Sequence, residues 1–144
     1  MPLAFNLRPA SKHDFEFCWP IYRDALQPLA MPPKQWSEPE QRRIVEQALA
    51  DTGSSILRSE GTDAGWLQVE ETGQVIRLKQ FLLAPAMRNR GLGTGFLNWM
   101  KERADRKRKD LTAEVLPNSR ALHLLERLGF KAVPGSAATV TMRY

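Results

Sequence analysis

The stretch Phe81-Leu82-Leu83-Ala84-Pro85-Ala86-Met87-Arg88-Asn89-Arg90-Gly91-Leu92-Gly93-Thr94 decides how this chain is read. It runs from an apolar strand end, through a basic loop with glycines, into a helix. Glycine lets a backbone approach a ligand with no Cβ in the way. The helix start adds N–H groups without intrahelical partners and the positive end of its dipole. Together these make an anion site, most naturally for a phosphate or pyrophosphate. The segment therefore points to a phosphorylated cofactor. Pro85 suits the turn leaving the strand, because it fixes φ and has no N–H to satisfy.

The spacing sets aside two common nucleotide loops. The Gly-x-x-x-x-Gly-Lys-Ser/Thr pattern of P-loop nucleotidases is absent. Gly91-x-Gly93-x-Gly95 is not Gly-x-Gly-x-x-Gly, so the acidic residue that happens to follow, Glu114, carries little weight as a ribose partner. The order Arg88-x-x-Gly91-x-Gly93 instead resembles the acetyl-CoA signature of the GNAT superfamily of N-acetyltransferases, Gln/Arg-x-x-Gly-x-Gly/Ala. A second block, Asn118-Ser119-Arg120-Ala121-Leu122-His123-Leu124-Leu125-Glu126-Arg127-Leu128-Gly129-Phe130, follows the strand candidate Leu111–Val115. It resembles the family's Asn-x-x-Ala, Leu-Tyr-Glu-Lys/Arg and Gly-Phe run at Asn118, Ala121, Leu124, Glu126, Arg127, Gly129 and Phe130. Leu7-Arg8-Pro9-Ala10 with Asp14 is similar to its first strand and helix entry.

The resemblance implies one domain over residues 1–144 with an α/β (α+β) fold. The expected sheet is mixed, mostly antiparallel and twisted, with six to seven strands. About four helices lie on both faces, and the central fourth and fifth strands splay. Acetyl-CoA is the implied cofactor and acetyl donor, and no metal is called for. In the splay, the backbone of Phe81, Leu82 and Leu83 would pair with pantetheine and the thioester. The N–H groups of Arg88, Asn89, Arg90, Gly91, Leu92, Gly93 and Thr94 would hold the pyrophosphate. Asn118 and Ala121 would border the pantetheine arm. The implied activity is acetyl transfer to a primary amine of a small molecule or peptide, by direct attack in a ternary complex.

The catalytic groups depart from the family pattern. The family commonly places a base carboxylate on the fourth strand and a tyrosine acid in Leu-Tyr-Glu. Here the strand positions hold Arg77 and Lys79, and the tyrosine position holds Leu125. Substitute candidates are Glu70, Glu71, Glu114 and Ser119, with Tyr22 and Tyr144 as further acids. Positioning alone is also credible, since holding two reactants together is worth about 7–11 kcal/mol in favourable cases. By strand alternation Val75, Arg77, Lys79 and Phe81 share one face. A central strand buries unpaired cations only at large cost. Arg77 and Lys79 therefore face solvent, pair with Glu70 or Glu71, or line an acceptor cleft. In the last case the acceptor would carry a carboxylate or phosphate. The first helix and its loop, which shape acceptor choice in the family, offer Trp19, Tyr22, Arg23, Met31 and Trp36.

Composition limits the alternatives. With 144 residues and 42% hydrophobic content, the chain suits one core. No apolar run reaches the length of a membrane span, and no secretion signal stands at the start. The lone Cys18, set among aromatic residues, reads as a small buried hydrophobe and fits a reducing cytoplasm. A net charge of +5 invites a nucleic-acid reading. Yet the basic residues of 101–109 sit at a helix end, where they complement its dipole. They lack interleaved aromatics, and no helix-turn-helix or zinc pattern accompanies them. A CoA-binding sensor with the same fold but no chemistry is the rival reading. A homodimer through the late hairpin stays open.

Strands are expected at 5–8, 55–58, 65–70, 74–83, 111–115, 131–133 and 138–143. Helices are expected from Ser11 to Leu26, from Ser37 to Ala50 with Ile44, Val45, Ala48 and Leu49 inward, from the glycine loop to Lys107, and over 119–128.

Overall fold

The computed structural model describes residues 4–29, 35–134 and 139–144. Met31, named above, and residue 138, the expected start of the last strand, lie outside these. Serines start the elements where the sequence places them. The Ser11 hydroxyl accepts from the His13 N–H, and the Asp14 carboxylate accepts from the Ser11 N–H. This reciprocal cap precedes α1, Phe15–Leu26. Ser37 caps α2, Glu38–Leu49, and Ser119 caps α4, Arg120–Arg127. The longest helix, α3, spans Leu92–Lys107 and starts at Gly91 with no side-chain cap.

Seven strands among the described residues form one sheet in the order β1-β2-β3-β4-β5-β7-β6. They are β1 Asn6–Pro9, β2 Ser54–Ser59, β3 Thr62–Glu71, β4 Val75–Leu83, β5 Asp110–Val115, β6 Lys131–Val133 and β7 Val140–Arg143. Only β4 and β5 run parallel, joined through α3. The sheet is the mixed, mostly antiparallel one that the resemblance implies.

Each face carries its own apolar cluster. One gathers Leu57, Leu67, Ile76, Leu78, Leu111 and Ala113 of the sheet under Phe96, Leu97 and Met100 of α3 and Leu125 of α4. The other sets Ile56 and Trp66 against Cys18, Trp19 and Tyr22 of α1 and Val45 and Leu49 of α2. Full burial of such side chains is worth about 1.5–3 kcal/mol each. The expected inward Ile44 is instead 39% exposed. The buried stripe of α2 is narrow, and Arg42 covers its flank by stacking 4.9 Å over the Phe15 ring.

One irregularity shapes the centre of the sheet. Gln68 pairs with Gln80, but Val69 pairs with Leu78, so Lys79 is an extra, bulged residue on β4. A bulge shifts alternation by one and bends its strand. Ile76 and Leu78 face the α3 side, and so do Phe81 and Leu83 beyond the bulge. Leu82 joins the α1–α2 cluster. The expected single face for Val75, Arg77, Lys79 and Phe81 is therefore corrected: Phe81 lies opposite Arg77.

Candidate active site

The parallel pairing of β4 with β5 runs from Val75–Asp110 to Leu78–Ala113 and stops there. Beyond that point β4 stays with β3 as far as Leu83–Gly65, while β5 stays with β7 as far as Val115–Val140. The strands therefore diverge at the bulge. Among the described residues Phe81, Leu82 and Leu83 have no strand partner on their β5 side, which leaves backbone donors and acceptors facing the gap. All three are half-buried. The Phe81 ring rests 4.9 Å, centroid to centroid, from Phe96.

The glycine loop closes one end of this gap. Arg88 is extended, whereas Asn89 at φ 62° and Gly91 at φ 78° are left-handed. The first intrahelical bond of α3 runs from the Gly95 N–H to the Gly91 carbonyl. The N–H groups of Leu92, Gly93 and Thr94 thus precede the helical ladder, and neither a serine cap nor a first-turn acid serves them. Gly93 is buried where α3, α4 and β4 meet. A methyl placed on it would stand 3.0 Å from Leu124 Cδ2, 3.6 Å from Leu83 Cδ1 and 3.7 Å from Phe81 Cε2.

Sequence reasoning missed Arg120. Burial holds the half-buried Arg88 guanidinium below its ordinary pKa, and the positive charge of Arg120 pushes the same way; Asp24 of α1 opposes both. The loop cation Arg88 thus feels the charge of Arg120 at the start of α4. A signal was available: Arg120 opens a helix with no acid in its first turn, where a cation opposes the dipole. Arg90 is exposed, and Thr94 is half-buried. Across the gap, Asn118 is left-handed at φ 63° and Ala121 is half-buried on the first turn of α4.

The candidate acid–base residues separate into groups. Glu70, Arg77 and Glu114 come together on the α1–α2 side of the sheet, with Arg77 donating to Glu70 over 2.8 Å. Lys79 is exposed at the bulge. The Ser119 hydroxyl accepts from the Leu122 N–H as a helix cap. Tyr22 is buried, donates to Gln41 Oε1 over 2.6 Å and belongs to the packing beneath α2. Trp36 lies against Tyr22, and its indole N–H finds no partner among the described residues. Tyr144 hydrogen-bonds Asp105 of α3, away from the gap. Glu71 is taken by Lys107 and Lys109, which accounts for much of the basic helix end. Leu125, at the family's tyrosine position, is buried in the core. Among the described residues no acidic, histidine or cysteine cluster could hold a metal, and no helix is long and apolar enough to cross a membrane.

A sequence model of the acetyltransferase (GNAT) family matches residues 15–130. The chain belongs to this family. Solved family folds agree with it over nearly their whole lengths. The PaiA N-acetyltransferase of Thermoplasma acidophilum, solved in complex with coenzyme A, superposes with a TM-score of 0.69, at 13% identity and 98% coverage of both chains. Ard1 of Thermoplasma volcanium gives 0.67 at 14% identity, covering 99% of this chain and 97% of its own. YncA of Salmonella typhimurium, solved with its cofactor acetyl-CoA, gives 0.59 at 17% identity, covering 98% and 93%. No curated protein matches the chain by sequence. At these identities the likeness is one of fold.

Proposed function

We propose that this GNAT-family chain is an acetyl-CoA-dependent N-acetyltransferase, acting in the cytoplasm as one domain on a primary amine of a small molecule or peptide. The observation that carries the reading is the gap between β4 and β5, which leads through the Arg88 loop into an uncapped helix start. An uncapped helix N-terminus favours phosphate. The free backbone edge of Phe81–Leu83 suits an amide-bearing arm such as pantetheine. The coenzyme A in PaiA and the acetyl-CoA in YncA support the same choice of cofactor. The N–H groups of the 88–94 loop would hold the pyrophosphate, with Arg88 and Arg120 adding charge. Asn118 and Ala121 would border the arm. The amine would attack the thioester directly from the α1–α2 side.

The test is calorimetric titration with acetyl-CoA beside free CoA. Saturable binding of acetyl-CoA is expected. Arg88→Ala or Arg120→Ala should each weaken it by roughly ten- to a hundredfold, the scale of one charge-assisted hydrogen bond. Failure of both ligands to bind the folded protein overturns the reading. One observation favours a second reading, a CoA-binding sensor: the family's proton-donating tyrosine is replaced by the buried Leu125. Acetyl transfer to any amine excludes it.

A further inference from the structure

On the sheet face that carries α1 and α2, three charged side chains stand in a row across β3, β4 and β5. Arg77 Nη1 donates to Glu70 Oε1 over 2.8 Å, and Arg77 Nε lies 4.0 Å from Glu114 Oε1. Glu70 and Arg77 are register partners in the β3–β4 ladder. Glu114 is the first residue of β5 past its last bridge to β4, so it stands where the strands part. Leu111 and Ala113 are buried on the opposite face, which turns Thr112 and Glu114 toward the α1–α2 side. The Glu114 side chain is 44% exposed and accepts no hydrogen bond among the described residues.

Several carboxylates elsewhere on or beside the sheet are committed. Glu71 is held by Arg103, Lys107 and Lys109, and Asp14 and Asp63 by Arg8. Asp51 accepts from the Gln68 amide, and Asp110 pairs with Arg143 of β7. The row itself holds two carboxylates and one guanidinium. Its net negative charge suits an ammonium better than the acidic acceptor that Arg77 alone would suggest. Lys79 on the bulge is the remaining cation of this part of β4.

We infer that Glu114 takes the proton from the acceptor ammonium, and that Arg77, clamped by Glu70, is the positioning residue that holds Glu114 at the mouth of the gap. The inference rests on the acetyl-transfer reading. The acceptor R–NH3+ gives one proton to the Glu114 carboxylate, directly or through a water. The freed nitrogen lone pair forms the N–C bond to the thioester carbonyl carbon. Collapse of the tetrahedral adduct breaks the C–S bond, and the sulfur leaves with that electron pair. A second proton from the same nitrogen neutralises the thiolate, so the step needs no tyrosine at position 125. Glu114 then releases its proton to solvent.

The test compares wild type, Glu114→Gln, Arg77→Gln and Arg77→Lys. Each is titrated with acetyl-CoA and assayed with 2-phenylethylamine, spermidine, L-lysine and a tripeptide with a free N-terminus. Glu114→Gln should keep acetyl-CoA affinity but lose about a hundredfold in kcat/KM at pH 7, in the range of general base catalysis. The loss should shrink toward pH 10, where the amine is already neutral. Arg77→Gln should lower kcat roughly tenfold and shift the pH profile, and Arg77→Lys should restore most of the rate. Wild-type rates for Glu114→Gln at pH 7 overturn the inference. So does a wild type that binds acetyl-CoA yet acetylates none of the four amines, and this leaves the cofactor reading standing. A wild type that binds no acetyl-CoA brings down both.

Discussion

Gly93 shows how narrowly one residue constrains this site. It sits where the glycine loop, β4 and α4 converge, and a Cβ there would crowd the end of the Leu124 side chain at 3.0 Å. Gly93→Val adds two further methyl groups against Leu83 and Phe81. Overpacking of this kind costs about 1–3 kcal/mol. Urea unfolding should show that loss, and acetyl-CoA affinity should fall with it, because Phe81 and Leu83 form the wall of the gap. A variant as stable as wild type would mean that α4 moves freely against α3. The glycine pattern was legible in the sequence because backbone chemistry is written in glycine spacing. Arg120 was not, since its meaning depends on its charge reaching Arg88 in another part of the chain. The same holds for Tyr22, whose helical spacing could not say whether its hydroxyl faced a cleft or Gln41.

At the scale of elements, α3 is anchored by opposite charges at its C-terminal end. Its start is an uncapped donor cluster. Its end carries Arg103 and Lys107, which with Lys109 converge on Glu71 at the tip of the β3–β4 hairpin. Hydrogen bonds from Lys107 and then Lys109 lower the Glu71 carboxyl to a pKa of about 2. A carboxyl depressed in the folded state stabilises above its unfolded pKa of roughly 4.3 and loses that contribution as pH falls through the folded value. Stability measured by urea midpoint should therefore drop between about pH 4.5 and pH 2. Glu71→Gln should flatten that part of the curve, and high salt should shrink it. An unchanged acid limb in the variant would show that the ion cluster does not hold α3 to the hairpin. The Lys79 bulge belongs to this scale too. It cannot be read from alternation, because the strand pattern on either side is regular and only the β3 register exposes the extra residue.

At the scale of the whole molecule, the sheet separates two cores, and Cys18 lies at the heart of the one beneath α1 and α2. Burial pushes its thiol up to about 12. The thiolate is the reactive form, so the folded protein should resist a disulfide-exchange reagent at pH 8. Labelling should appear only as denaturant opens the structure, with a midpoint that follows the global transition. Rapid labelling in native buffer would mean that the α1–α2 layer opens independently of the sheet.

Local chemistry in the sequence determined much of this protein. The serine caps, the turn residues, the glycine loop and the Asn118–Phe130 block fix where elements begin, and they mark the family. These signals act within a few residues, through hydrogen bonds and φ preferences that a linear pattern records. Tertiary structure alone decided which face each β4 side chain takes after the bulge. It also decided that Ile44 is exposed, that the charge of Arg120 reaches Arg88, and that Glu70, Arg77 and Glu114 form one row. Those outcomes depend on register and on strands brought together from distant parts of the chain, and no local pattern encodes the distance between them.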